Sequence, residues 1–420
     1  MNWKILCLLL PLCFNYSCQS KKSNTTSTPK TPFTKLSETQ QRLAENAILG
    51  MHLNDSLLAT VFVAEPQLVN PTNIDIDAFG RIWAIETVNY RNDVNIKNPY
   101  REKGDRILVF EDTDHDGKAD TTFVFYQGED INAALGICVL GNKVIISDSP
   151  NVFVFTDENN DLVADKKELL FSNIGGENHD HGIHACVFGP DGKLYFTGGN
   201  VIDQIADKTG HTLIARDSGD FVEGLVFRCN EDGSNLEVVA DNFRNNFELA
   251  IDSYGNIWQT DNDDDGTQSC RVNYVVPFGN YGYVDQVTKK KWRTFRVGMH
   301  TKISKRHWHQ NDPGVFPNMM ETGSGGPSGL IVYEGKLLPP PFRQQMINAM
   351  PGHQELSAYT HKKQAAGFIT KKINLLKSED KWCRPVDLAV APDGSLFMAD
   401  WYDSSMGGHY FDDTQSGRIF

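Results

Sequence analysis

The sequence lacks the features that mark a haem protein, a multipass membrane protein or a nucleic-acid binder. No two cysteines stand in CxxC spacing and no CxxCH occurs, so the chain attaches no c-type haem. Of its 8 cysteines, five follow Cys18: Cys138, Cys186, Cys229, Cys270 and Cys383. An odd number allows two disulfides at most. Cys138 and Cys186 lie within apolar runs (GICVL, HACVF) and read as core residues rather than a redox pair. Positive charge is in deficit: 40 Lys+Arg against 54 Asp+Glu leave a net charge of −14. A surface so acidic repels phosphate backbones, which excludes nucleic acid as a partner. Long apolar runs are missing too. The run Ile5–Phe14 is too short to span a bilayer, and no other segment comes closer.

What is present begins with an address. Lys4, the apolar run, and then Ser17-Cys18 before an abruptly polar stretch form a lipoprotein-type signal over residues 1–17. The expectation is that Cys18 is lipidated, that 18–36 is a flexible tether, and that the protein is lipid-anchored in a bacterial cell envelope, periplasmic or at the cell surface. Ser37-Glu38-Thr39-Gln40 resembles a capping box opening a short helix over 37–49.

Beyond residue 50 strand signals dominate, as the 35 glycines and 40% apolar content allow. One unit recurs: an alternating apolar strand, a tight turn ending in glycine, and a second β-rich strand. The turn glycines are Gly80, Gly141, Gly192, Gly255, Gly335 and Gly394. Six such units predict an all-β fold, a six-bladed β-propeller filling 50–420 as one domain. A strand near Leu57–Glu65 is expected to complete the last sheet and close the ring. The fifth unit is the weakest, because Pro339-Pro340-Pro341 stops its second strand, KLLP.

Equivalent offsets before the turns select Asn70, Ala133, His181, Arg244, Ser324 and Arg384 at the channel mouth. One imidazole and two guanidiniums then converge, flanked by Asp180, His184, Asn245 and Glu248. A histidine can act as general base and arginines can hold an anion; the alternative is a wet, merely polar channel. A second constellation is acidic. Asp112, Asp114, Asp116 and Gly117 have the DxDxDG spacing of a calcium loop, with Asp120 as a late ligand and Phe123 at position twelve, which excludes an EF-hand. Asp157, Asn159, Asp161 and Asp165 repeat the idea without the glycine. Asp261, Asp263 and Asp265 offer another cation site near the channel.

These motifs, with AEPQLVNPTNIDIDAFGRIWAIE, NHDHGIHACVFGPDGKLYF, FGNYGY, GPSGLIVYEG and DWYDSSMGGHYFDDTQSGRI, span about residues 62–420. Their order resembles the six-bladed quinoprotein glucose/sorbosone dehydrogenases, and most closely the N-terminal domain of membrane-bound dehydrogenases common in Planctomycetes, Verrucomicrobia and Bacteroidetes. The resemblance implies oxidation of a sugar or related alcohol with pyrroloquinoline quinone (PQQ) and calcium, and a cytochrome or haem domain as electron acceptor. It implies that His181 takes the hydroxyl proton, that Arg244 and Asn245 flank the cofactor and reacting centre, and that Arg384 binds the quinone's acidic groups. The family's cofactor lysine falls on alanine within His361–Gly367; Lys362 or Lys363 reaches the position only with a shift. A non-enzymatic propeller recognising glycans or envelope partners, and a calcium-dependent hydrolase or lactonase, use the same residues otherwise.

Overall fold

The computed structural model describes residues 31–420 except 97, 178–179, 264–268, 366 and 405–413. The signal, Cys18 and most of the tether therefore lie outside the described residues. Among the described residues no helix is long and apolar enough to cross a membrane.

Six antiparallel sheets form the body. Blade 1 is built from Pro71–Ile76, Ile82–Glu86, Arg106–Glu111 and Thr121–Gln127. Blade 2 comprises Gly136–Leu140, Lys143–Asp148, Asn151–Thr156 and Lys166–Ser172, extended by the hairpin Gln204–Asp207 and Thr212–Ala215. Blade 3 holds Ile183–Phe188, Leu194–Gly198, Gly224–Cys229 and Glu237–Phe243, with Gly279–Asn280 added in parallel. Blade 4 contains Leu249–Ile251, Ile257–Asp261, Cys270–Val275 and Met320–Gly323. Blade 5 has Leu330–Tyr333, Gln345–Met350, Glu355–Gln364 and Gly367–Ser378, with Met51–Leu53 on its outer edge. Blade 6 combines Pro385–Val390, Leu396–Asp400, Arg418–Ile419 and Val63–Ala64. Each innermost strand abuts the next and the sixth abuts the first, so the ring is closed.

The turns repeat because their chemistry repeats. Asp77 and Asp252 each accept two backbone N–H groups of their own turn, and Asp191 and Asp393 each accept one. The following Gly80, Gly192, Gly255 and Gly394 all take positive φ, which a side chain would resist. Blade 5 departs from this pattern. Gly335 is not in the left-handed region, and the second strand is Gln345–Met350 rather than KLLP. Pro340 instead opens a single 3₁₀ turn, Pro340–Phe342, before the strand can start.

Closure occurs where expected, over a shorter span. Only Val63–Ala64 of Leu57–Glu65 is strand, paired with Arg418–Ile419. Arg418, almost fully buried, lies near Glu65 and Asp380 and over the Tyr402 ring, tying the two chain ends together. The capping box is also present: Ser37 Oγ accepts the Gln40 N–H, and the Gln40 side chain accepts the Ser37 N–H. The helix it opens is only Glu38–Gln41, followed by a 3₁₀ segment, Ala44–Gly50.

The core is a set of wedges between blades rather than one centre. Trp83, Ile107, Val109 and Phe125 of blade 1 meet Val144, Ile146 and Phe155 of blade 2. Phe196 and Phe227 stack in the next wedge, beside Cys138, Cys186 and Cys229. Cys138, Cys186, Cys229, Cys270 and Cys383 are all free and buried. Cys138 and Cys186 lie in one apolar cluster on adjacent inner strands.

Candidate functional site

The loops that enter the innermost strands of blades 1, 2, 4 and 6 share one device. The carboxylate ending a blade's second strand turns back and accepts backbone N–H groups from that blade's own entry loop. Glu86 accepts from Val69, Asp148 from Asn132, Asp261 from Arg244 and Asn245, and Asp400 from Arg384. All four carboxylates are buried. The entry loops are thus fixed by charge-assisted hydrogen bonds from the rigid sheets, which suits a site that must hold its side chains in place.

On this frame three of the expected residues come together. His181 Nδ1 lies 2.5 Å from Asn200 Oδ1, and the Asn200 N–H donates to the Arg244 carbonyl at 2.9 Å. Gly199 lies between them. A Cβ there would meet the His181 carbonyl oxygen at 2.4 Å and Asn245 Oδ1 at 2.8 Å, so only glycine permits this approach. An amide oxygen can only accept, so a neutral His181 held this way carries its proton on Nδ1 and keeps the lone pair on Nε2. Arg244 Nη1 donates to the Asn262 carbonyl, and both Arg244 and Asn245 are buried.

Arg384 sits at the seam of blades 5 and 6. Its Nη1 donates to the Cys383 carbonyl at 3.1 Å and its Nη2 to the Ser404 carbonyl at 3.2 Å; among the described residues its buried Nε has no hydrogen-bond partner. Among the described residues its side-chain hydrogen bonds go only to neutral carbonyls, with the Asp380 carboxylate acting on it through charge. The donor set of Arg244, Arg384 and Asn245 therefore fits a ligand with several carboxylates, as PQQ has. The lysine does not join it. Lys362 and Lys363 are exposed near the tip of the Glu355–Gln364 hairpin, at the end away from the mouth.

Two flanking residues have other tasks. His184 is buried between the Asp180 and Asn246 carbonyls, and burial pushes its pKa down to about 4. Glu248 faces the channel interior, not the mouth. There it lines a cavity of about 220 Å³ with Asp75, Cys138, Cys186 and the inner strands. Its carboxyl meets that of Asp387, and burial raises both pKa values, favouring one proton shared between them.

Arg91 and Tyr90 were not legible as site residues. Arg91 Nη1 reaches from blade 1 to Asp180 Oδ1 at 2.9 Å, bracing the segment that carries His181. They lie on the loop after blade 1's second strand, outside the repeated offset; the signal available was that loop's mix of aromatic and polar residues, TVNYRND.

The acidic loops divide. One ligand oxygen each of Asp112, Asp114 and Asp116 lies within 4.8 Å of the others on an exposed loop. Asp120 is turned to Thr113, accepting from its N–H and hydroxyl. Asp157 accepts the N–H groups of Asn160, Asp161 and Leu162, as Asp112 accepts those of Asp116 and Gly117, so both loops are held internally. Asp261 is different from both. Its carboxylate is fully buried against Arg271, which stands directly opposite on the next strand, with contacts of 2.7 and 3.0 Å. A guanidinium thus stands where the sequence suggests a cation. Asp263 accepts from Ser269 Oγ at 2.6 Å and lies 3.4 Å from His307 Nε2. Asp265 lies outside the described residues.

Residues 44–408 match the model of a family described as a domain of unknown function, DUF7133. No curated protein matches the sequence. Many solved structures share the fold, among them the following three. A protein from Thermus thermophilus described as a glucose dehydrogenase is 17% identical, with a TM-score of 0.59 over 86% of this chain and 98% of that one. The PQQ-bound aldose sugar dehydrogenase of Streptomyces coelicolor is 15% identical, with a TM-score of 0.60 over 88% and 96%. A calcium structure of a carbohydrate-active family AA12 enzyme from Trichoderma reesei is 13% identical, with a TM-score of 0.59 over 88% and 96%.

Proposed function

The chain belongs to the DUF7133 family, and for this member we propose a dehydrogenase that oxidises a sugar or related alcohol with PQQ and calcium. The observation that carries the reading is the orientation of His181, whose Nδ1 faces the Asn200 amide oxygen, the arrangement in which a neutral imidazole keeps Nε2 unprotonated. Nε2 accepts the substrate hydroxyl proton as the alcohol becomes a carbonyl. Arg244 and Asn245, fixed by the Asp261 cap, hold the negative charge that develops on the substrate oxygen. Arg384 and Arg244 bind carboxylates of the cofactor. PQQ, when bound, supplies the two-electron acceptor. The sugar dehydrogenases that share the fold support this assignment.

Calcium belongs to the same proposal, with Asp112, Asp114 and Asp116 as the ligand group. So does location: Cys18 carries the lipid anchor of an envelope protein, and a cytochrome or separate haem domain takes the electrons. The remote Lys362 and Lys363 favour a second reading, a propeller that binds glycans without oxidising them. Titration of the purified protein with PQQ, followed by quenching of its intrinsic fluorescence, separates the two. The dehydrogenase requires saturable binding that Arg384→Ala weakens by about tenfold or more, the loss of one charge-assisted contact. No saturable binding leaves the glycan reading.

A further inference from the structure

The chain's acidity has one local reversal. Between Asp285 and Asp312 there is no acidic residue, yet eight Lys and Arg stand there: Lys289, Lys290, Lys291, Arg293, Arg296, Lys302, Lys305 and Arg306. This segment leaves blade 3 after Gly279–Asn280 and returns to blade 4 at Met320–Gly323. One side of it is pinned down. Trp308 Nε1 donates to the Ser269 carbonyl and packs under Arg271, while His309 Nδ1 bonds the Gly282 carbonyl at 2.8 Å. Arg296 pairs with Asp312, and Lys302 with Glu321. The other side faces water and carries apolar side chains among the remaining cations: Val287 is 89% exposed, Phe295 82% and Val297 95%, beside exposed Lys289, Lys290 and Arg293.

A soluble polyanion would satisfy the lysines and leave Phe295, Val287 and Val297 in water. A bilayer surface with anionic headgroups takes both, cations at the phosphates and apolar side chains at the acyl boundary. We propose that segment 286–306 is a membrane-docking patch for anionic lipid, independent of any anchor at Cys18. The rest of a chain of charge −14 is repelled by such a surface, so binding must run through this patch. It would bring the rim of blade 4, and the mouth beside it, against the membrane.

The test uses the full chain carrying Cys18→Ser, sedimented with vesicles of phosphatidylcholine alone or mixed equally with phosphatidylglycerol. The expected result is binding to the mixed vesicles only, lost when salt rises from about 0.05 to about 0.5 M. Replacing Lys289, Lys290 and Lys291 together by Gln should weaken partitioning by about 100-fold. Phe295→Asp with Val297→Asp should weaken it by at least about tenfold. All these side chains are exposed, so unchanged melting confirms that the variants fold. Equal binding to both vesicle types, or binding untouched by either variant, overturns the proposal. Retention on alginate without binding to the mixed vesicles also overturns it, assigning the segment to a soluble polyanion. None of these outcomes depends on PQQ.

Discussion

The acids of the loop at 112–116 and those of the blade interiors share a residue type and little else. Asp112, Asp114 and Asp116 are grouped on an exposed loop with ligand oxygens converging. Asp261 and Asp400 are buried, Glu248 is half-buried against the channel, and each is dealt with separately. Asp261 has a guanidinium, Asp400 has backbone N–H groups with Arg418 nearby, and Glu248 is pushed toward its neutral form by burial and by the Asp387 charge. The lesson is that alternating carboxylates say little about metal binding until burial and counter-charge are known. In water a cluster can wait for a cation; inside the protein the charge must be neutralised as the chain folds.

The comparison breaks most visibly at Arg271. Arg271→Ala leaves Asp261 buried without its partner, and should lower unfolding free energy by about 3–5 kcal/mol. Urea denaturation measures this. A loss below about 1 kcal/mol would mean that Asp261 is solvated or neutral, and that the contrast with the exposed loop is unfounded.

The next effect concerns pH. Because burial raises the Glu248 and Asp387 pKa values, the folded protein keeps a proton that the unfolded chain releases above about pH 4. The folded state binds more protons across that window, so the pair's contribution to stability falls as pH rises from about 4 toward neutrality, by up to about 1.4 kcal/mol per pH unit. Glu248→Gln supplies the proton permanently and should flatten that part of the curve. Thermal melting of both proteins between those pH values decides it, and an unchanged slope would remove the shared proton.

The smallest effect sharpens the exposed side. Asp114→Ala with Asp116→Ala should change stability by no more than about 0.5 kcal/mol without calcium, as exposed side chains do. Calcium titration by calorimetry should show a binding event in the parent that the double variant loses. Calcium binding retained in full would place the ion elsewhere.

Much of the architecture could be read from the sequence because propeller turns are local chemistry. Asp77, Asp252 and Gly80, Gly255 act within a few residues of each other, so their pattern survives in one dimension. The same holds for the capping box at Ser37 and Gln40. The second strand of blade 5 was misplaced because a proline run displaced it beyond the usual interval. The mouth was legible in part: His181, Arg244 and Asn245 stand at repeat positions, and the structure brings them together around Gly199 and Asn200. Arg91 and Arg271 were not, since each finds its carboxylate through tertiary pairing. Arg91 crosses from blade 1 to blade 3, and Arg271 meets Asp261 only through strand register.

The central claim is that His181 is the base of an alcohol oxidation at the propeller mouth. Dye reduction by the protein reconstituted with PQQ and calcium, in the presence of aldoses, tests it most directly. The parent should reduce the dye. His181→Ala should lose about 100-fold or more in kcat while still binding PQQ. A parent with no activity across aldoses and simple alcohols, or a His181→Ala protein as active as the parent, would contradict the account.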